Sequence, residues 1–495
     1  MTVIPHWLTK QASLAPEQLA IETDDGKQVT FAELKQLSQS YAKRLAGIGV
    51  KQGSHVGLFS GNEKQMIVLI HALSYLDAVI VMLNTRLTAR ELTYQLTDAE
   101  VDLVLVSDAL NKDFQQKDLK VKSYAFSDIE KLAEKDVTLK SEIYLDDPYT
   151  IMYTSGTTGK PKGVVHTYGN HWFSAIGSAL NLGLSAKDKW LNVLPIFHVG
   201  GFSICMRSVI YGMSLYLMEK FTEERFHDAV MTKDVTIASV VTVMLERLLA
   251  TLGKQNYPDT FRCMLLGGGA CPVSTLKQAK QHNIPVFQSY GMTETSSQIV
   301  TLSPQDALEK LGSSGKPLVP AQLKIVQPND EGIGEIHVKG PMVTKGYFKN
   351  EQANEVTLQD GWLATGDLGY VDDTGFLYVV ERRTDLIISG GENIYPTEVE
   401  HAIASMPGIQ EVGVIGQTDQ TWGSVPVAFI VKEDNSLMPD QIETYAKQHL
   451  ASYKIPKQYY FVNKLPRNAG NKLMRHRLKE WLKTMEERDE NGREK

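Results

Sequence analysis

The chain has 495 residues, 42% hydrophobic and 22% charged, with a formal net charge of −7. That length exceeds one ordinary domain, and the composition is that of a soluble globular protein with a large core. The negative balance argues against a general affinity for nucleic acid or anionic lipid.

From residue 30 to about 300, helical and strand signals alternate. Thr30 with Glu33 forms a capping box, followed by Leu34, Leu37, Tyr41 and Leu45 on one face. HVGLFS (55–60) reads as a strand, Asn62 as the cap of the next helix, and VIVML (79–83) as a second strand. Thr88 with Glu91 repeats the capping box before the strand DLVLVS (102–107). Later strands are expected in LNVLP, LYLM, TIASVV, CMLLGG and PVFQSYG. Apolar strands alternating with helices predict parallel sheets covered on both faces.

After about residue 311 the rhythm changes. KIVQ, GEIHVKG, GYFKN and GFLYVVE are short strands with turn signals between them, predicting a small, mostly antiparallel, barrel-like unit over about 311–384. From Asp385, Pro396 opens a helix carrying Val399, Ile403 and Met406. Strands near 410–416 and 425–432 and a helix near 439–449 follow. The fold class expected is therefore α/β: a large N-terminal domain (1–384), a small α+β domain (385–485), and a charged, disordered tail (486–495).

Three cysteines, Cys205, Cys263 and Cys271, form no CxxC pair. Reduced thiols in a cytoplasmic protein are expected, with neither disulfides nor zinc. The N-terminus lacks a basic start followed by an apolar run, and no apolar stretch is long enough to span a bilayer, so neither a signal peptide nor a membrane span is expected.

The stretch MYTSGTTGKPKGVVH (152–166) carries the chemistry. It sets Thr154, Ser155, Thr157 and Thr158 around Gly156, Gly159 and Gly163, with Lys160 and Lys162. Successive backbone N–H groups in such a turn make an anion nest, and hydroxyls and lysine add donors. The spacing is not that of a P-loop: Gly156 and Gly159 stand too close, and Pro161 follows Lys160 where a Mg²⁺-binding hydroxyl is required. An ordinary surface turn is the alternative. The apolar strand before the loop and its density of hydroxyls weigh against that.

YTSGTTGKPKG (153–163) resembles the phosphate loop of the adenylate-forming superfamily, which comprises acyl-CoA ligases, peptide-synthetase adenylation domains and luciferases. YGMTE (290–294), TGD (365–367), ERRTDLIISGGENIYPTEVE (381–400) and LPRNAGNKLMR (465–475) occur in that family's order. The resemblance implies an ATP site built from Thr154, Ser155, Gly156, Thr157, Thr158, Gly159 and Lys160 around the phosphates. It implies Gly268, Gly269 and Ala270 against the adenine, Asp367, read as ending a short strand in a Gly-flanked turn after Gly366, on the ribose, and Arg382 nearby. Tyr290 would stack on the purine, Thr293 would donate to the α-phosphate, and Glu294 would help hold Mg²⁺. A helix-N-terminal acid, with Thr293 as cap, is the alternative for Glu294. Lys472 would stabilise the charge that builds during adenylation. Here the chain departs from the common pattern, with Asn471 where glycine is usual; Asn tolerates the left-handed backbone. Asp385 would be the hinge about which the small domain turns, and Ser389, Gly390 and Gly391 would help form the coenzyme A tunnel.

The implied chemistry has two steps. A carboxylate attacks the α-phosphate of ATP, and coenzyme A then displaces AMP; no carrier domain follows, so coenzyme A is the expected acceptor. By the same resemblance Phe197 and His198 of LPIFHVGG (194–201), with Gly291, stand where relatives line the acyl pocket and thiol entrance. Arg207 lies inside the apolar stretch FSICMRSVIYG, where a buried cation needs a partner. Either a structural ion pair or a second carboxylate on the substrate would supply one.

HTYGNHWFSAIGSALNLG, VFQSYGMTETSSQIVTLSP and KIPKQYYFVNKLPRNAGNKLMR most closely resemble the 2-succinylbenzoate–CoA ligases of menaquinone biosynthesis. That resemblance implies 2-succinylbenzoate as substrate, its ring carboxylate facing Arg207. Two other readings stand beside it: a CoA ligase for another carboxylic acid, and a non-catalytic relative that binds adenylates. Small molecules are the expected partners, without nucleic acid or integral membrane association; homo-oligomerisation is left open.

Overall fold

The computed structural model describes residues 2–154, 161–268, 271–381, 386–434, 436–467 and 473–492. The chain divides into two compact units. The first holds Met1–Thr85, Leu92–Thr154 and Lys162–Glu381; the second holds Arg86–Glu91 and the C-terminal part of the chain.

The first unit carries two large sheets. One has seven strands in the order Gly346–Tyr347, Lys162–Thr167, Pro148–Thr154, Val79–Met82, His55–Phe59, Leu103–Val106 and Lys122–Ala125. The other has nine, running from Lys316–Pro317 through Ser297–Leu302, Val286–Met292, Cys263–Gly267, Ile237–Val241, Lys189–Asn192, Ser214–Leu217 and Leu19–Thr23 to Gln28–Thr30. Both are parallel in their interiors, where strands such as Leu103–Val106 and Val79–Met82 are buried along their whole length. This is the pattern expected of strands covered by helices on both faces. Towards one edge each sheet turns antiparallel, at Pro148–Thr154 with Lys162–Thr167 and at Val286–Met292 with Ser297–Leu302. An antiparallel pair needs only a short connection, so these edges carry the tight loops that the motifs occupy.

Local signals explain several boundaries. The Phe31–Gly47 helix starts at Thr30, whose hydroxyl accepts from the Glu33 N–H while the Glu33 carboxylate accepts from the Thr30 N–H. The same reciprocal pair forms between Thr88 and Glu91. Asn62 does not cap its helix: Lys64–Tyr75 begins after Glu63. The Asn62 amide instead donates to the carbonyls of Leu194 and Met218 and accepts from the Ile196 N–H, a tertiary use that outcompetes the local one.

The region from 322 to 381 is an antiparallel sheet of Gln322–Val326, Gly334–Lys339, Trp362–Val371, Leu358–Gln359 and Leu377–Glu381. Gly346–Tyr347 was expected within it but pairs with Lys162–Thr167 in the seven-stranded sheet. Asp367 does not end a short strand; it lies inside the ten-residue strand Trp362–Val371.

In the second unit, a sheet of Glu392–Ile394, Ile387–Ser389, Gly423–Lys432 and Ile409–Asp419, with Tyr459–Phe461 added in parallel, packs against helices Pro396–Ala404 and Pro439–His449. The expected disordered tail is largely helical, since the last helix runs Arg475–Gly492. Leu478 and Leu482 are buried and anchor its first turns. Once a helix is nucleated, extension through Glu, Arg and Met is cheap.

Candidate active site

The ends of the phosphate-loop motif are fixed by strand pairing. Thr154 and Lys162 face each other across the antiparallel pair Pro148–Thr154 and Lys162–Thr167. Ser155, Gly156, Thr157, Thr158, Gly159 and Lys160 lie outside the described residues. Lys162 sets its ammonium over the Tyr347 ring, 5.0 Å from the centroid. The Tyr347 hydroxyl donates to Glu294 Oε1 at 2.9 Å. Tyr347 was not singled out from the sequence; it arrives through the pairing of Val164 with Tyr347, a long-range register that no local pattern marks.

Thr293 and Glu294 sit in a single 3₁₀ turn, Thr293–Thr295, at the C-terminal end of the strand Val286–Met292. No α-helix follows; the chain re-enters the sheet at Ser297. The helix-N-terminal role for Glu294 therefore falls away. The turn is closed by the Thr295 hydroxyl, which accepts from the Met292 N–H, and by the Thr344 N–H, which donates to the Glu294 carbonyl. Among the described residues no group of three or more His, Cys, Asp or Glu side chains could hold a metal ion. One buried carboxylate suits a Mg²⁺ that arrives already bound to phosphate oxygens, since that ion takes few protein ligands.

Asp367 is buried, and its Oδ2 accepts from the Tyr290 hydroxyl at 2.9 Å. Its N–H donates to the Thr365 hydroxyl. Gly366 before it takes φ +75°, a backbone that only glycine adopts freely, and its N–H donates to the Glu335 carboxylate. The Tyr290 ring is 1% exposed, packed among Ile299, Val300, Ile336 and Val338. Its hydroxyl holds Asp367. Gly268 directly follows the strand Cys263–Gly267 at φ +85°. Gly269, Ala270 and Arg382 lie outside the described residues.

The acyl side is built on the helix Val199–Tyr211. His198 is its N-cap residue and stands beside the buried Phe197, ring centroids 4.7 Å apart. Asn62, through its bonds around Leu194 and Ile196, pins the segment that carries them. A Cβ on Gly201 would lie 2.4 Å from the Pro195 carbonyl, so only glycine lets the helix start this close.

Further along the helix, Arg207 is 1% exposed. Its guanidinium lies over the Trp190 ring at 5.1 Å, and Nη2 donates to the Ser297 hydroxyl at 3.3 Å. Its Nε has no hydrogen-bond partner among the described residues, and no carboxylate there pairs with it. Burial pushes its pKa down, opposed by the neighbouring Tyr211 and Cys263. The ion-pair alternative is therefore not met among the described residues. Ser297 takes φ +116°, rare for a residue with a side chain. Gly291 permits it, because a Cβ there would stand 2.2 Å from the Ser297 carbonyl. Nothing in the sequence marked Ser297 for this place.

In the second unit, Ser389, Gly390 and Gly391 form the hairpin between Ile387–Ser389 and Glu392–Ile394. Gly390 and Gly391 take φ +57° and +89°, the paired positive values of a tight type I′ turn. The Gly390 N–H donates to the Trp422 carbonyl. Asp385, Asn471 and Lys472 lie outside the described residues.

Residues 8–348 match the AMP-binding enzyme family, and residues 398–472 match the AMP-binding enzyme C-terminal domain. A 2-succinylbenzoate–CoA ligase of Oceanobacillus iheyensis is 54% identical over 96% of this chain and 98% of its own. The corresponding ligase of a Geobacillus species is 49% identical over 97% and 98%. The o-succinylbenzoate CoA synthetase of Bacillus subtilis, bound with a product analogue, matches at 44% identity with a TM-score of 0.92, covering 97% of this chain and 98% of that one. The same synthetase in complex with ATP and magnesium ion matches at 44% identity with a TM-score of 0.75, covering 97% of this chain and all of that one. The chain belongs to the AMP-binding, adenylate-forming enzymes, and among them to the 2-succinylbenzoate–CoA ligase family.

Proposed function

We propose that this chain is an AMP-forming acid–thiol ligase that joins 2-succinylbenzoate to coenzyme A at the expense of ATP, a step of menaquinone synthesis. The family places the chemistry. The observation that carries the substrate is Arg207, a fully buried guanidinium without a carboxylate among the described residues. A substrate with two carboxylates has one to activate and one left to satisfy it; a fatty acid or benzoate has none to spare.

In the first step an oxygen of the succinyl carboxylate attacks the α-phosphorus of ATP. The bond from that phosphorus to the bridging oxygen breaks, and pyrophosphate leaves. In the second step the coenzyme A sulfur, its thiol proton passed to water, attacks the acyl carbon. The carbon–oxygen bond breaks and AMP departs with the electron pair, leaving the thioester.

The loop Ser155–Lys160, with Thr154, cradles the β- and γ-phosphates. Gly268, Gly269 and Ala270 line the adenine. Asp367, steadied by Tyr290, accepts the ribose hydroxyls, with Arg382 beside it. Thr293 donates to the α-phosphate and Lys472 offsets the charge that builds there, as a preorganised donor set does. Glu294 is the residue that would hold Mg²⁺, which neutralises phosphate charge when bound. Phe197, His198 and Gly291 line the acyl group and Arg207 holds the ring carboxylate. Asp385 is the hinge, and Ser389, Gly390 and Gly391 line the path of coenzyme A. We place the reaction in the cytoplasm, where ATP and coenzyme A are available; among the described residues no helix is long and apolar enough to cross a membrane.

The test is pyrophosphate release with ATP, Mg²⁺ and coenzyme A across 2-succinylbenzoate, benzoate, octanoate and acetate. Strong preference for 2-succinylbenzoate is expected. Preference for octanoate or benzoate would overturn the substrate and leave the adenylation chemistry standing.

A further inference from the structure

Behind the Thr293–Glu294 turn lies a buried chain of polar groups that the reaction above does not use. Thr150 and His166 face each other across the antiparallel pair that also anchors the phosphate loop. His166 is fully buried; its Nε2 lies 2.6 Å from the Thr293 carbonyl and its Nδ1 3.1 Å from the Thr150 hydroxyl. The same hydroxyl lies 3.1 Å from His171 Nε2, on the helix Tyr168–Leu182.

The directions of these bonds follow from chemistry. A carbonyl only accepts, so His166 Nε2 carries a proton and donates. Burial pushes the His166 pKa down to about 4, so the ring is neutral and Nδ1 is an acceptor. The Thr150 hydroxyl must then donate to Nδ1 and accept from His171 Nε2–H. His171, also held neutral by burial, keeps its bare Nδ1 in a site with no hydrogen-bond partner among the described residues. Each donor has one acceptor, and the chain runs one way: His171 to Thr150 to His166 to Thr293.

We propose that His166 is a positioning residue for adenylation, its Nε2–H fixing the Thr293 carbonyl and so the turn that presents the Thr293 hydroxyl and the Glu294 carboxylate to the nucleotide. The strand Lys162–Thr167 grips that turn at a second point. The Thr344 hydroxyl donates to the Val165 carbonyl, while the Thr344 N–H donates to the Glu294 carbonyl. One strand thus holds the base of the phosphate loop at one end and the back of the turn at the other. The inference rests on the reading of Thr293 and Glu294 as nucleotide-facing groups.

The side chains that mimic each imidazole nitrogen separate this role from mere packing. His166→Gln keeps an N–H at the Nε2 position; His166→Asn reaches only the Nδ1 position. We expect His166→Asn to lower kcat for pyrophosphate release about tenfold to a hundredfold, the scale of a displaced catalytic group. The KM for 2-succinylbenzoate should stay within about twofold of wild type. His166→Gln should recover most of the rate at a similar Tm. Equal rates in the two variants would overturn the inference. Should His166→Asn not fold, Thr150→Val serves: it removes the proton that fixes the His166 tautomer, and an unchanged kcat there would overturn the inference too. Glu294→Gln tells the two levels apart. Full activity in Glu294→Gln would sink the reading of the turn and this inference with it. Loss in Glu294→Gln beside full activity in His166→Asn would sink this inference alone.

Discussion

Arg262 and Arg207 belong to the same compact unit, and their surroundings differ in kind. Arg262 grips the buried Asp188 in a fork: Nε to Oδ1 at 2.8 Å and Nη2 to Oδ2 at 2.6 Å. Its remaining donors reach the carbonyls of Leu182 and Gly183. Arg207, more deeply buried, has an aromatic face, a serine hydroxyl and an unpaired Nε. Arg262 shows what the fold does with a cation that serves structure: it supplies charge, fork geometry and carbonyls together. Among the described residues Arg207 has no carboxylate to complete it, the condition expected of a site that takes an anionic ligand.

Removing each cation should therefore have opposite consequences. Arg262→Met leaves Asp188 buried and unpaired, and breaking such a pair costs about 3–5 kcal/mol. Chemical denaturation should show that loss with KM for 2-succinylbenzoate unchanged. The pH dependence sharpens the case. Burial alone would raise the Asp188 pKa, but the Arg262 fork, with the Ser185 N–H and the Thr236 hydroxyl, outweighs it and holds it below the ordinary 3.8. A depressed folded value means stability present above 3.8 and lost as the pH falls through the folded value. Without Arg262, burial is opposed only by the Ser185 N–H and the Thr236 hydroxyl, so the folded pKa lies above that of the wild type and protonation costs the variant less stability. The stability gap between variant and wild type should thus narrow as the pH is lowered. A gap that widened would show that Asp188 is not held by Arg262.

Arg207→Ala should behave in reverse. The free enzyme should lose no stability beyond that of a filled cavity, because no partner charge is stranded. The KM for 2-succinylbenzoate should rise about a hundredfold, the scale of a charge-assisted bidentate contact, with the KM for ATP unmoved. Wild type, and not the variant, should gain Tm on adding 2-succinylbenzoate. An unchanged KM would return Arg207 to a structural role that Trp190 and Ser297 alone sustain.

What could be read from the sequence divides along the same line between local and long-range causes. The capping boxes at Thr30 and Thr88 and the strand before Thr154 depend on neighbours within a few residues. Their chemistry is written there. Asn62 failed as a cap because carbonyls more than a hundred residues away claimed its amide. Asp367 was placed at a strand end because Thr365 and Gly366 look like a turn, and the strand runs through them. Tyr347, Ser297 and His166 were invisible as site residues because each acts through a register or a backbone angle that only the folded sheet defines. Arg207 was legible as an anomaly, a charge in an apolar run. Whether it had a partner was not.

Ser297 yields the smallest expected effect and the finest test of the contrast. Its hydroxyl accepts from the Arg207 guanidinium at 3.3 Å, and it also lies 3.4 Å from the Ser203 hydroxyl. Its φ of +116° is held by neighbours: the Thr295 hydroxyl donates to the Ser297 carbonyl at 2.7 Å, and Gly291 leaves room for it. Backbone strain of this kind costs about 1–3 kcal/mol and aims the hydroxyl at the guanidinium. Ser297→Ala keeps the backbone demand and removes only the acceptor. It should raise the KM for 2-succinylbenzoate about fivefold, the worth of one hydrogen bond to a charged group whose other contacts persist. In an Arg207→Ala background the same change should add almost nothing, because the partner is gone. Full additivity in that double-mutant cycle would mean that Ser297 acts on the substrate directly, and that Arg207 is oriented without it.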